Sequence, residues 1–201
     1  MLIMDYINHY DSPLGGITLA SDGTALTGLW FDDQKYFGDT LTEEYEEKDL
    51  PVFAKAAEWL DIYFSGKDPG FIPPLSMRTT AFRKRVWEIM LEIPFGQTMT
   101  YGQIAAQIAK EKGLPHMSAQ AVGGAVGHNS ISLIIPCHRV VGSDGSLTGY
   151  AGGINNKTAL LELEGADLSN LYAQKKGLHY NFSSVLFCII YSRMMTLTTF
   201  G

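Results

Sequence analysis

Residues 100–129 read T-Y-G-Q-I-A-A-Q-I-A-K-E-K-G-L-P-H-M-S-A-Q-A-V-G-G-A-V-G-H-N, and the fold of the longer part of the chain turns on them. Thr100 and Gln103 stand in capping-box spacing ahead of Ile104, Ala105 and Ile108, which predicts a short helix running to about Lys110. After the loop K-E-K-G-L-P-H comes a second helical candidate with an unusual composition. Its interior glycines Gly123, Gly124 and Gly127 each cost about 1 kcal/mol relative to alanine, roughly 3 kcal/mol in all. The plain explanation is a loop, or a helix packed tightly on a neighbour. The alternative is that bare backbone is needed to approach a large flat partner such as a nucleic-acid groove. Two short helices joined by a turn fit a helix-turn-helix, although other small helical domains fit nearly as well.

The flanking segments support a helical unit. In T-T-A-F-R-K-R-V-W-E-I-M-L-E-I-P, Phe82, Val86, Ile89 and Ile93 share one helical face and Pro94 ends the run. Further on, I-N-N-K-T-A-L-L-E-L-E-G reads as a helix capped by an asparagine and stopped by Gly165. The front of the chain is different. Tyr6 to Tyr10, Gly16 to Ala20 and Ala25 to Phe31 read as strands separated by S-P-L-G-G and S-D-G turns. An acidic loop follows, and then an amphipathic helix with Pro51 near its first turn, apolar Val52, Phe53, Ala56, Trp59, Leu60 and Tyr63, and Gly66 at its end. These features divide the chain into a small α+β unit, 1–75, with a linker at Pro73 and Pro74, a second unit, 76–176, and a tail, 177–201, to which no role is assigned.

Composition narrows the functional classes. A chain of 201 residues that is 46% hydrophobic holds ample core for one large or two small domains. Its two cysteines, Cys137 and Cys188, form no C-x-x-C pair, and no secretory leader is evident, so a reduced cytoplasmic setting is expected rather than a disulfide framework. The longest apolar run, Val185 to Tyr191, is far short of the roughly 20 residues of a membrane span. The net charge of −6 conceals an asymmetry: residues 1–75 carry −10, and residues 76–176 carry +3. A mildly basic second unit permits DNA binding without demanding it.

Chemistry concentrates in I-I-P-C-H-R-V-V, residues 134–141. Cys137 could be a buried hydrophobe in a strand, but Pro136 interrupts strand hydrogen bonding and the polar His-Arg pair follows at once. A thiolate nucleophile with a neighbouring imidazole as base is the alternative. In extended chain His138 would point away from the sulfur, so a local bend or a bridging water is required. A histidine base also needs a carboxylate, for which Glu162 and Glu164 are the candidates. One cysteine beside one histidine makes no tetrahedral metal site, and none is expected.

Together, P-C-H-R-V-V, the preceding A-V-G-G-A-V-G-H-N and the following G-Y-A-G-G and L-E-G strongly resemble the O6-alkylguanine-DNA alkyltransferases. The resemblance runs from about Tyr6 to Lys176 and is densest from Phe82 to Gly165. It implies a ribonuclease H-like α/β N-terminal domain and a mainly helical, winged-helix C-terminal domain. It also implies a monomer that binds double-stranded DNA through the minor groove, flips the damaged guanine and accepts its alkyl group irreversibly without a cofactor. O4-methylthymine is a candidate second substrate. Carried over by position, Cys137 is the acceptor, His138 the base acting through a water, Glu164 the orienting carboxylate and Asn129 the residue that pins the turn before the active segment. Tyr101, Val140, Tyr150, Ala151 and Lys157 would meet the substrate, and Gln120, Ala121, Gly123 and Gly124 the DNA.

Two departures stand out. Gln120 occupies the place of an arginine that intercalates in most members, which implies weaker DNA affinity and slower flipping. Ala151 replaces a serine of several relatives and removes one hydrogen bond to the base. Three rivals remain: an alkyltransferase-like binding protein, against which Cys137 speaks directly, a Cys-His-Glu hydrolase, which would need an oxyanion hole, and a DNA-binding regulator, which leaves P-C-H-R idle.

Overall fold

The computed structural model describes residues 4–173, so the tail from 177 and Cys188 lie outside the described residues. The N-terminal part is a four-stranded sheet in the order β3-β2-β1-β4. Its strands are β1 (Asp5–Ser12), β2 (Gly15–Ser21), β3 (Leu26–Phe31) and β4 (Tyr45–Glu47). The first three form an antiparallel meander, as their turn residues predict, while β4 adds parallel to β1 and makes the sheet mixed. Short β4 lies inside the stretch expected to be an acidic loop. Its residues are all exposed at the sheet edge, so no buried alternation marks it as a strand.

Helix α1 (Pro51–Phe64) buries Val52, Phe53, Ala56, Trp59, Leu60 and Tyr63, the face that its periodicity predicts. The chain then returns to the sheet. Leu26 N–H donates to Pro74 O and Ser76 N–H to Leu26 O, both at 2.8 Å, so the Pro73-Pro74 segment is zipped along β3.

Helices α2 (Ala81–Leu91), α3 (Tyr101–Glu111) and α4 (Ala119–Gly127) pack on one another. The capping box forms as read: Thr100 Oγ1 accepts from Gln103 N–H at 3.1 Å, and Gln103 Oε1 accepts from Thr100 N–H at 2.7 Å. Glycine-rich α4 is helical despite its propensity because Ser118 caps it and Val122, Ala125 and Val126 pack into the core. Trp87 of α2 closes that contact by donating its indole N–H to Ala125 O at 2.9 Å. Strands β5 (Met99–Thr100) and β6 (Val140–Val141) form a two-residue parallel ladder.

The last helix, α5 (Ile154–Leu163), differs from expectation at its start. Its N-cap is Gly153, with φ 87°, and no side chain caps it. A left-handed backbone at that position suits glycine, so asparagines 155 and 156 fall inside the first turn rather than before it. One apolar core runs through both parts of the molecule, from Ile17 and Leu60 to Ile104, Val126 and Leu160.

Candidate active site

The site begins with the turn that leaves α4. Asn129 is buried, and its side chain bonds in three directions. Its Nδ2 donates to Ile135 O at 2.7 Å and to Cys137 Sγ at 3.1 Å, while its Oδ1 accepts from Ile131 N–H at 3.1 Å. These bonds wind residues 129–137 into a tight loop that also holds Leu133 at φ 68°, a costly conformation for a bulky residue. The loop is fastened to the N-terminal sheet: Leu29 N–H donates to Ser130 O and Ser132 N–H to Leu29 O, both at 2.8 Å.

Pro136 then breaks the chain out of extended form, and residues 137–139 form a single 3₁₀ turn. Cys137 is thus not a strand residue, and the bend required of the Cys-His pair exists. The thiol is almost completely buried, and burial raises its pKa; the Asn129 hydrogen bond and the Lys157 ammonium pull it back in part.

His138 is fully buried, and its Nε2 lies 2.6 Å from Glu164 Oε1. Glu164 caps the C-terminus of α5, whereas Glu162 stays half-exposed and takes no part, so the spacing implied by the family resemblance selects the glutamate that makes contact. Burial alone would raise the Glu164 pKa. His138 and Arg139 overcome that and hold it at about 2. Arg139 contributes two hydrogen bonds, Nε to Oε2 at 2.9 Å and Nη2 to Oε1 at 3.1 Å. An ionised carboxylate can only accept, so His138 Nε2 carries the proton and Nδ1 presents its lone pair. Nδ1 has no hydrogen-bond partner among the described residues, and burial lowers the imidazole pKa, so the ring is neutral.

A second cluster lies beside the first. Lys157 of α5 is fully buried, and its Nζ donates to Val140 O at 2.6 Å and Thr148 O at 3.0 Å. Burial lowers its pKa to about 8. Thr148 O also accepts from Tyr101 Oη at 2.9 Å, so α3 and α5 grip the 148–150 loop from two sides. Gly149 is required there: a Cβ would come within 2.9 Å of Tyr101 Oη, and its φ of 73° is left-handed. Tyr150 is buried, its hydroxyl has no hydrogen-bond partner among the described residues, and it stands edge-on to His138 at 6.4 Å.

Tyr101, Gln120, Gly123 and Gly124 line an open depression of about 800 Å³ between α3, α4 and the 142–149 loop. Gln120 and Gly124 are exposed, and among the described residues nothing beyond the backbone of α4 itself lies within 4 Å of where a Gly124 Cβ would be. Ala121 is exposed on α4 but lies off the wall of this depression, and Ala151 reaches the N-terminal part instead, its O accepting from Lys35 N–H at 3.1 Å.

Protein-family comparison decides what these clusters belong to. Residues 6–77 match the ribonuclease-like domain of 6-O-methylguanine DNA methyltransferase, and residues 81–166 match its DNA binding domain. The chain belongs to the 6-O-methylguanine DNA methyltransferase family. Its relatives include the methylated-DNA–protein-cysteine methyltransferase of Mycobacterium tuberculosis, 47% identical over 78% of this chain and 92% of the relative. That of Haemophilus influenzae is 40% identical over 79% and 86%. Among solved structures, Mycobacterium tuberculosis OGT in complex with DNA is 44% identical, with TM-score 0.68 over 81% of this chain and 93% of that one.

Within this methyltransferase architecture, sequence reasoning missed three participants. Tyr63 was visible only as an apolar position of α1, yet its hydroxyl donates to Glu164 Oε1 at 2.7 Å. Arg139 was noted without a partner. Gly96 N–H, which donates to Glu164 Oε2 at 3.1 Å, carries no side-chain signal at all.

Proposed function

We propose that the chain repairs double-stranded DNA by moving the alkyl group of O6-alkylguanine, and by extension O4-methylthymine, onto Sγ of Cys137, once per molecule. The observation that carries this reading is a buried thiol oriented by the Asn129 amide beside a neutral His138 whose Nε2–H is held by ionised Glu164. A thiol whose pKa burial raises needs a base at neutral pH. His138 Nδ1 takes the thiol proton through a water, and the Glu164–Arg139 pair stabilises the imidazolium that forms. Sulfur attacks the alkyl carbon, the S–C bond forms as the C–O6 bond breaks, and guanine leaves with the bonding electron pair. The departing base takes up a proton; Lys157, at a pKa of about 8, is poised to supply or stabilise it.

The depression of about 800 Å³ beside α4 is the DNA face of this proposal. Exposed Gly124 leaves bare backbone for a minor groove, Gln120 fills the gap of the flipped nucleotide, and Tyr101, Val140 and Tyr150 meet the base, while Ala151, whose carbonyl is bonded to Lys35, adds no polar group there. The protein acts as a monomer in the cytoplasm, where thiols stay reduced. No helix among the described residues is long and apolar enough to cross a membrane.

The test is incubation with duplex DNA carrying O6-methylguanine, followed by peptide mass spectrometry. One methyl per molecule on the Cys137 peptide is expected, and Cys137→Ser should bind the duplex without transfer. DNA binding by the natural chain with no transfer would instead mark a damage-binding protein.

A further inference from the structure

Glu164 accepts an unusual number of hydrogen bonds. Oε1 receives Tyr63 Oη at 2.7 Å, His138 Nε2 at 2.6 Å and Arg139 Nη2 at 3.1 Å. Oε2 receives Arg139 Nε at 2.9 Å and Gly96 N at 3.1 Å. A carboxylate offers about four lone-pair sites, so these donors compete, and the competition falls on Oε1, the oxygen that His138 uses. Four of these bonds come from the C-terminal part of the chain. Tyr63 is the exception, reaching across from α1.

The Tyr63 ring is completely buried and firmly seated. It stacks on Trp59 at 5.1 Å and meets Phe64 and Phe95 edge-on at 5.4 and 6.0 Å. For that packing a phenylalanine would serve equally well and would bring no polar atom into the core. The hydroxyl is therefore the informative part. It donates to Glu164, lies 3.3 Å from His138 Nε2, and stays protonated because burial and the Glu164 charge push its pKa well above its ordinary value.

We propose that Tyr63 is a positioning residue for alkyl transfer: by sharing Glu164 Oε1, its phenol sets how tightly the carboxylate holds the His138 imidazole and couples the N-terminal part to the reactive centre. The proposal rests on the reading of Cys137 and His138 as acceptor and base. Its consequence is electrostatic. Among the described residues, the titratable and charged groups around His138 are Glu164, Arg139, Tyr63, Lys157 and Tyr150, with Cys137 its neighbour in the chain. Arg139 and Lys157 favour the neutral ring, and Glu164 favours the charged one. A phenol that draws on the Glu164 charge moves the balance toward neutral, the form able to accept a proton from sulfur.

The test compares the natural chain with Tyr63→Phe and with a chain carrying 3-fluorotyrosine at position 63, whose phenol is a stronger donor in the same shape. Single-turnover transfer from an O6-methylguanine duplex is measured across pH, with duplex affinity measured alongside. Removing the donor strengthens the grip of Glu164 on the imidazolium, so His138 protonates at higher pH. The acid limb of the Tyr63→Phe profile should therefore move up by about half to one pH unit, the scale of one ordinary hydrogen bond. The fluorinated chain should move the opposite way, and duplex affinity should not change.

A rate lowered equally at every pH, or a midpoint that does not move, would reduce Tyr63 to packing. Titration of the His138 ring by NMR in ¹⁵N-histidine-labelled protein reads the same shift without the reaction. If the natural chain transferred no methyl, the acceptor reading would fall, while the ring titration would still decide the role of Tyr63 in setting the imidazole.

Discussion

At the scale of single residues, Glu164 holds the charge of the site. Its folded pKa of about 2 lies below the 4.5 of an unperturbed glutamate. A group depressed in this way adds stability above its unfolded pKa and loses it as pH falls through the folded one. Glu164→Gln should therefore destabilise the protein by about 3–5 kcal/mol near neutrality, because Arg139 is left buried without its counter-charge. The gap between variant and natural chain should narrow between about pH 4.5 and 2 as the natural carboxylate takes up its proton. Urea unfolding at a series of pH values measures this; a gap constant with pH would count against the ion pair.

At the scale of elements, α4 trades helical stability for access. Among the described residues a Cβ at Gly124 would meet nothing beyond the backbone of α4, and the φ of Gly124 is not left-handed. Gly124→Ala should therefore stabilise the fold by about 0.5–1 kcal/mol while weakening duplex binding, because the added methyl stands on the face we propose for DNA. A thermal melt and a binding titration on the same variant separate the two effects. If affinity rose with stability, α4 would not be the contact helix. One turn away, Gln120→Arg should tighten duplex binding, quicken repair and steepen the salt dependence of log affinity by about one unit, the signature of an added phosphate-range cation. Unchanged affinity and rate would remove the significance given to this glutamine.

At the scale of the whole molecule, the two matched family regions share structure as well as sequence order. The loop before Cys137 takes two backbone bonds from Leu29, residues 74–76 are zipped to Leu26, and one core cluster includes side chains from both regions. A boundary near residue 75 is thus our proposed division of the chain, across which packing is continuous. Unfolding should be a single cooperative transition, with calorimetric and van't Hoff enthalpies agreeing and tryptophan fluorescence coinciding with far-ultraviolet circular dichroism. Two resolved transitions would show the regions to be independent. The charge asymmetry, −10 in residues 1–75 and +3 in residues 76–176, places the basic excess in the part of the chain that matches the DNA binding domain.

The sequence by itself determined the local elements and the reactive motif. Capping at Thr100, the apolar face of α1 and the meander of β1 to β3 are short-range effects, carried by residue spacing and turn chemistry. The Cys137-His138 pair and the preference for Glu164 were legible through family spacing. What escaped depends on contacts distant in the chain. Strand β4 lacks an inward face of its own, and the start of α5 is set by a left-handed glycine that side-chain capping rules overlook. Tyr63 and Glu164 are separated by 101 positions and meet only because α1 packs against the turn carrying His138. Tertiary structure alone decided which donors share that carboxylate, because hydrogen bonding in a buried site depends on which side chains the fold brings within three ångströms, and no periodicity records that.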